Sequence, residues 1–247
     1  PEGIRDTLNA QSPEVMVAAQ PGTSSGGLSL SALEDVLERA RSADAVLIGC
    51  GLGRDDETLE VVRRLVPMIE APVVLDADGL TAFSPQFGGS PAAFADRRGP
   101  LALTPHLGEV RRLLESRQAG AANDVFDPED RPRAAADLAR RWGATVVLKG
   151  MPSVVGLEGG EAGAAHGRAI IGPPGEPALA TAGSGDTLAG TIASLLAQGG
   201  TALEAAVCGL HLGSRAARIW ADEHGGAGLI ASDIVDLLPR AAHALRS

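Results

Sequence analysis

The stretch Ala178-Leu-Ala-Thr-Ala-Gly-Ser-Gly-Asp186-Thr-Leu-Ala-Gly-Thr-Ile-Ala-Ser-Leu-Leu-Ala-Gln198 decides the reading of this chain. A small, glycine-bearing turn runs directly into an amphipathic helix. Leu188, Ile192, Leu195 and Leu196 recur at helical spacing and give that helix one buried face. Gly183 and Gly185 lack Cβ atoms, so the turn can expose backbone N–H groups and admit a ligand closely. Those N–H groups lie at the positive end of the helix, where phosphate is stabilised. Asp186 stands in the first turn beside that position. A phosphate cradle flanked by a carboxylate suits phosphoryl transfer to a hydroxyl. Taken alone, the same residues also describe an ordinary helix start with an acidic first-turn residue.

On either side of this unit the chain alternates. Residues 151–180 mix short apolar pieces with Gly and Pro, as antiparallel edge strands and hairpins do. Beyond it, helices are predicted near 201–222 and 231–245. Upstream, apolar runs predict strands at Glu14–Ala19, Ala45–Ile48, Val73–Leu75, Leu101–Leu103 and Thr145–Leu148. Helical spacing predicts helices over 30–40, 55–69, from 107 to about Arg117, and 128–142. Strand–helix alternation argues for an α/β fold: a mostly parallel central sheet with helices on both faces and short antiparallel edge strands. With no linker visible, 1–247 reads as one domain. In such sheets ligands bind beyond the carboxyl ends of the strands.

Every glycine- or acid-rich motif falls at such an end. Gly49-Cys-Gly-Leu-Gly53 follows a strand and precedes a helix. Its Gly-x-Gly-x-Gly spacing departs from the dinucleotide fingerprint, and a plain tight turn fits it equally well. Asp76 and Asp78 end the next strand; one of them could simply cap a short helix. His106, in Leu103-Thr-Pro-His-Leu-Gly-Glu109, sits after a strand at a helix start and could donate to a phosphate or amide. Lys149 ends another strand and is the only lysine in the chain. A compact ammonium reaching a phosphate is a reason to keep lysine there; a solvated strand-end lysine is the ordinary alternative. His166, His211, His224 and His243 lack comparable context and read as surface or packing residues.

Composition narrows the classes. With 247 residues and 45% hydrophobic content, the chain can bury a large core. A net charge of −10 argues against nucleic acid and anionic membranes as partners. Arginine in place of lysine reads as a bacterial coding bias. Cys50 and Cys208 lack metal-ligand spacing and suggest a reducing, cytoplasmic setting. No apolar run reaches the roughly 18 residues of a membrane span. No Walker A sequence, Gly-x-Ser-x-Gly elbow or His/Cys metal cluster occurs, so no direct metal ligand is expected.

Ala182-Gly-Ser-Gly-Asp-Thr-Leu-Ala-Gly190 resembles the Gly-Thr-Gly-Asp-Val-Leu-Ala-Gly motif of ribokinase-like enzymes, and most of all the ADP- or ATP-dependent NAD(P)H-hydrate dehydratases. In family order, Gly49–Gly53 resembles Gly-Pro-Gly-Leu-Gly, with Cys50 replacing proline. Asp76-Ala-Asp78 and the His106 run match likewise, only Leu107 differing in the latter. Val147–Val155 resembles Leu-Lys-Gly-x-x-Thr-Val-Ile, with Ser153 where Thr is usual. The resemblance implies repair of hydrated NADH or NADPH: phosphorylation of the hydrate hydroxyl by ADP or ATP, then loss of phosphate. It implies Asp186 as catalytic base and substrate contact. Gly53 and His106 would hold the hydrate. Lys149, Gly150, Met151, Pro152, Ser153, Gly183, Ser184 and Gly185 would hold the adenine nucleotide. Mg²⁺ would accompany the nucleotide, with Asp76 or Asp78 contacting substrate or a magnesium-bound water. ADP is the expected donor, and a homo-oligomer, up to a tetramer, is expected. The family's N-terminal strand–helix unit, with its Gly-Ala motif, has no match here. Roughly 40–60 further N-terminal residues are therefore expected in the natural protein. Other readings remain: a vitamin-precursor hydroxymethyl kinase of the same superfamily, an NAD-dependent oxidoreductase using Gly49–Gly53, or a noncatalytic nucleotide-binding piece.

Overall fold

The structure, a computed structural model, describes residues 1–115, 126–157 and 167–245. His166 and the helix end expected near Arg117 lie outside the described residues. Four short apolar runs form parallel strands: β1 (Val46–Ile48), β2 (Val73–Leu75), β3 (Leu101–Leu103) and β4 (Thr145–Leu148). Two antiparallel strands, β5 (Val154–Leu157) and β6 (Arg168–Ile171), extend the sheet at one side. The six strands lie in the order of the sequence. The helices are α1 (Arg5–Gln11), α2 (Leu33–Arg41), α3 (Asp56–Met68), α4 (Ala77–Thr81), α5 (Leu107–Leu114), α6 (Arg131–Trp142), α7 (Ser184–Ala197), α8 (Ala202–His224) and α9 (Ala231–His243).

Strand periodicity sorts the core into two faces, since successive side chains of a strand point to opposite sides. Val73, Leu75, Leu101, Leu103, Val146 and Leu148 pack with residues of α2, α3, α5 and α6. On that side Phe94 lies between Phe83 and Trp142, at ring-centroid distances of 4.7 and 6.0 Å. The intervening Val74, Ala102, Val147 and Val155 pack with Ala189, Ile192 and Leu196 of α7 and Ala205 and Ala206 of α8. The apolar stripe read from 178–198 is therefore the contact between α7 and the sheet. Helices α8 and α9 share a smaller cluster around Ala216, Ala217, Ile234 and Leu237.

The strand expected at Glu14–Ala19 does not form. The segment is irregular, and Val15 and Met16 are exposed, Met16 almost completely. A short apolar run becomes a strand only where a neighbour supplies ladder hydrogen bonds, and none pairs with this one. No helix among the described residues is long and apolar enough to cross a membrane.

Candidate active site

Register brings the motifs to one level. Ile48 lies opposite Leu75, and Leu75 opposite Leu103, so Gly49, Asp76 and Thr104 leave the sheet side by side. The ladder continues past the strands: the Asp76 amide donates to Ile48 O at 3.1 Å, and the Lys149 amide to Pro105 O at 2.9 Å. Gly49 and Gly79 allow the β1 and β2 turns to touch backbone to backbone. Gly49 has φ +134°, and a Cβ there would stand 1.7 Å from Asp76 O. Between the two aspartates Ala77 takes φ +47°, a conformation unusual for a residue with a side chain.

That turn sends the two carboxylates to different tasks. Asp78 accepts from the Gly53 amide at 3.1 Å and from Arg54 Nε at 2.8 Å, tying down the glycine turn. Asp76 is buried and pairs with Lys149, Nζ to Oδ1 at 2.6 Å. Glu109 Oε2 lies 4.0 Å from the same ammonium. Lys149 is thus engaged with carboxylates of the protein itself. Its Nζ also lies 3.3 Å from where a Gly185 Cβ would be, which makes Gly185 the residue that admits the ammonium against the start of α7.

Gly183, at φ +83°, is the N-cap of α7, and no side chain caps that end. Asp186 is exposed in the first turn. Donor atoms of Asp186, Asp76 and Cys50 lie within 4.8 Å of one another. Burial first, then the Asp76 and Asp186 carboxylates, push the Cys50 thiol up to about 12, so it stays protonated at neutral pH. The two carboxylates are hard oxygen donors that suit Mg²⁺, whereas a protonated thiol does not.

His106 is the N-cap of α5. Its Nδ1 accepts from the Gly108 and Glu109 amides at 3.0 and 3.3 Å, while Glu109 Oε2 accepts from the His106 amide at 2.8 Å. Nδ1 is therefore unprotonated, and Nε2–H, 3.5 Å from Glu109 Oε1, is the ring's only donor. Glu109, buried between His106 and Lys149, was given no role from sequence, although its spacing three residues after His106 is that of a capping box. Arg54 was also missed; its only sequence signal is its place next to Gly53.

Beside this polar cluster opens a cavity of about 360 Å³, within the range of small-molecule sites. Lys149, Gly150, Met151, Ser153, Ser184 and Gly185 line it, as do Thr187, Leu188 and Thr191 of α7 and Gly209, Leu210 and Gly213 of α8. Pro152 and Gly183, expected at the nucleotide, do not line it. Gly53, His106, Asp76 and Asp78 are not among the residues that line it. The start of α7 therefore borders both the cavity, through Ser184 and Gly185, and the Asp76–Lys149 pair.

A family model described as NAD(P)H-hydrate dehydratase matches residues 2–240. The bifunctional NAD(P)H-hydrate repair enzyme Nnr of Salinibacter ruber is 43% identical over 244 residues, 98% of this chain and 42% of that protein. The ADP-dependent (S)-NAD(P)H-hydrate dehydratase of Neisseria meningitidis is 36% identical, over 81% of this chain and 63% of that protein. The chain thus spans about two fifths of the Salinibacter relative. The crystal structure of Bacillus subtilis ADP/ATP-dependent NAD(P)H-hydrate dehydratase co-crystallized with ATP/Mg²⁺ superposes with a TM-score of 0.72 at 26% identity, over 98% of this chain and 76% of that one. Hydroxyethylthiazole kinase of Pyrococcus horikoshii, at 19% identity and a TM-score of 0.62, shares the fold. With the family model matched from Glu2 to Arg240 and the motif-bearing turns gathered at one edge of a ribokinase-like sheet, this chain belongs to the NAD(P)H-hydrate dehydratase family.

Proposed function

We propose that this chain dehydrates hydrated NADH or NADPH at the expense of an adenine nucleotide. The observation that supports the reading is the start of α7, which no side chain caps: it carries Asp186, lines a cavity of about 360 Å³ with Ser184 and Gly185, and lies beside the Asp76–Lys149 pair at the strand ends. The nucleotide lies in the cavity with its terminal phosphate at the N–H groups of residues 183–185. The hydrate lies over Gly53 and His106, whose Nε2–H donates to it. Asp186 takes the proton of the hydrate hydroxyl. The freed oxygen forms a bond to the terminal phosphorus as the bond to the departing nucleotide oxygen breaks. ADP leaves as AMP, or ATP as ADP. The carbon–oxygen bond then breaks, phosphate departs and a proton leaves the adjacent carbon, restoring the dihydronicotinamide. The N–H groups at the start of α7 stabilise charge on the group in transfer. Mg²⁺, when bound, would supply positive charge to the phosphates; the carboxylates of Asp186 and Asp76, the latter paired with Lys149 and accepting from the Cys50 thiol, are the hard donors that would hold it. Asp78, held by Arg54 and the Gly53 amide, acts by fixing the substrate turn.

ADP is the donor proposed, in line with the name of the Neisseria relative. The test incubates hydrated NADH with the chain and ADP or ATP, and follows recovery of reduced-nicotinamide absorbance together with phosphate release. Recovery mole for mole with phosphate is expected, faster with ADP. A stable phosphorylated hydrate would point to a kinase, and recovery without nucleotide would refute the scheme.

A further inference from the structure

We infer that Arg131 is a positioning residue for the adenine nucleotide, holding in place the loop 149–153 that forms one wall of the cavity; this rests on reading the cavity as the nucleotide site. Arg131 does not line the cavity. It begins α6, directly after the N-cap Asp130, whose carboxylate accepts from the Arg133 amide at 3.1 Å. From that anchored root its guanidinium reaches behind the loop. Nε donates to Pro152 O at 2.9 Å, and one terminal nitrogen donates to Leu148 O at 3.0 Å and Lys149 O at 3.2 Å. One planar cation thus joins the end of β4 to the far side of the loop.

Three further facts give the contact a purpose. Gly150 has φ +154°, and a Cβ there would fall 2.5 Å from the guanidinium, so only glycine lets the fork approach the loop this closely. Among the described residues no carboxylate forms a salt bridge with Arg131; its charge is met by backbone carbonyls. The three carbonyls it binds face α6, and so are kept from the phosphates, which they would repel. Ser153 closes the same loop from within, its Oγ donating to Gly150 O at 3.0 Å. Lys149, Gly150, Met151 and Ser153 all line the cavity, so a loop released from Arg131 displaces four of its walls at once. Lysine is a poor substitute, because a point charge cannot bind both sides of the loop in the plane of a fork.

The test measures ADP and ATP binding by titration calorimetry on the whole chain and on Arg131→Ala and Arg131→Lys, with nucleotide and hydrate kinetics alongside. Hydrogen bonds to a charged group are worth about 10- to 100-fold, so the loop released in Arg131→Ala should raise the nucleotide Kd by about 10- to 100-fold, with Arg131→Lys between it and the wild type. The loss should fall on nucleotide KM and leave the hydrate KM in place. Folded variants that bind nucleotide within about twofold of wild type overturn the inference. So does a failure of both variants to fold, which marks a purely structural residue. A wild-type chain that binds no adenine nucleotide overturns the nucleotide reading of the cavity as well, which separates the two failures.

Discussion

Replacing Lys149 with Met removes a cation from the interior while keeping most of the side chain's length. In the folded chain that ammonium stands 2.6 Å from Asp76 and 4.0 Å from Glu109, whose side chains are 1% and 7% exposed. Two buried carboxylates therefore share one ammonium. Removing one member of a buried pair costs about 3–5 kcal/mol, because the remaining charge cannot regain its hydration. The second contact points the same way: charges about 4 Å apart interact by about 4 kcal/mol at an effective dielectric of about 20. The site opens to solvent on the Asp186 side, so the two figures do not add, and about 3–5 kcal/mol is the expected loss. Against a usual total of about 5–15 kcal/mol this is a large fraction. It corresponds to a Tm lower by about 6–20 °C for a chain of this size. Urea unfolding followed by circular dichroism measures it. Asp76→Asn and the Lys149→Met/Asp76→Asn pair complete a cycle, in which the double variant should regain most of the loss. A stability loss below about 1 kcal/mol for Lys149→Met would refute the argument that this ammonium holds the buried carboxylates.

Two further predictions concern the carboxylate side of α7. Asp186→Asn keeps the side chain's shape but cannot accept a proton, so kcat should fall by about 10²- to 10⁴-fold with the fold intact. A folded variant with more than about a tenth of wild-type kcat would remove the base role. Cys50, raised from 9.0 to about 12, keeps its proton when folded over a range where the unfolded chain has lost it. The native state then binds more protons, so this group makes stability fall as pH rises from about 9 to about 12. Cys50→Ser should flatten that part of the profile in urea titrations, and an unchanged slope would count against it.

The strands and most helices were legible because their causes are local. Val73-Val-Leu75, Leu101-Ala-Leu103 and Thr145–Leu148 are apolar runs between turn residues, and the α7 stripe is a periodicity within 14 residues. The glycine turns were legible for the same reason: a positive φ is a demand on one residue. The run at Glu14–Ala19 has a strand's composition and no neighbour to pair with, so it stays irregular. What the side chains of the site do was decided elsewhere in the chain. Lys149 looked like a free phosphate ligand, yet it meets Asp76, 73 residues away, because parallel strands bring their carboxyl ends to one edge. His106 spends Nδ1 on its own helix start, and Asp78 is claimed by Arg54 from the neighbouring turn. Arg131 carried no signal at all, since nothing in its own neighbourhood names the carbonyls of residues 148, 149 and 152. The sequence by itself determined the elements and the edge at which the motifs collect, because backbone preference and burial pattern are written residue by residue. Which charge meets which, and which face of the 149–153 loop turns to the cavity, only the tertiary structure decided, because those contacts depend on distances between segments that are remote along the chain.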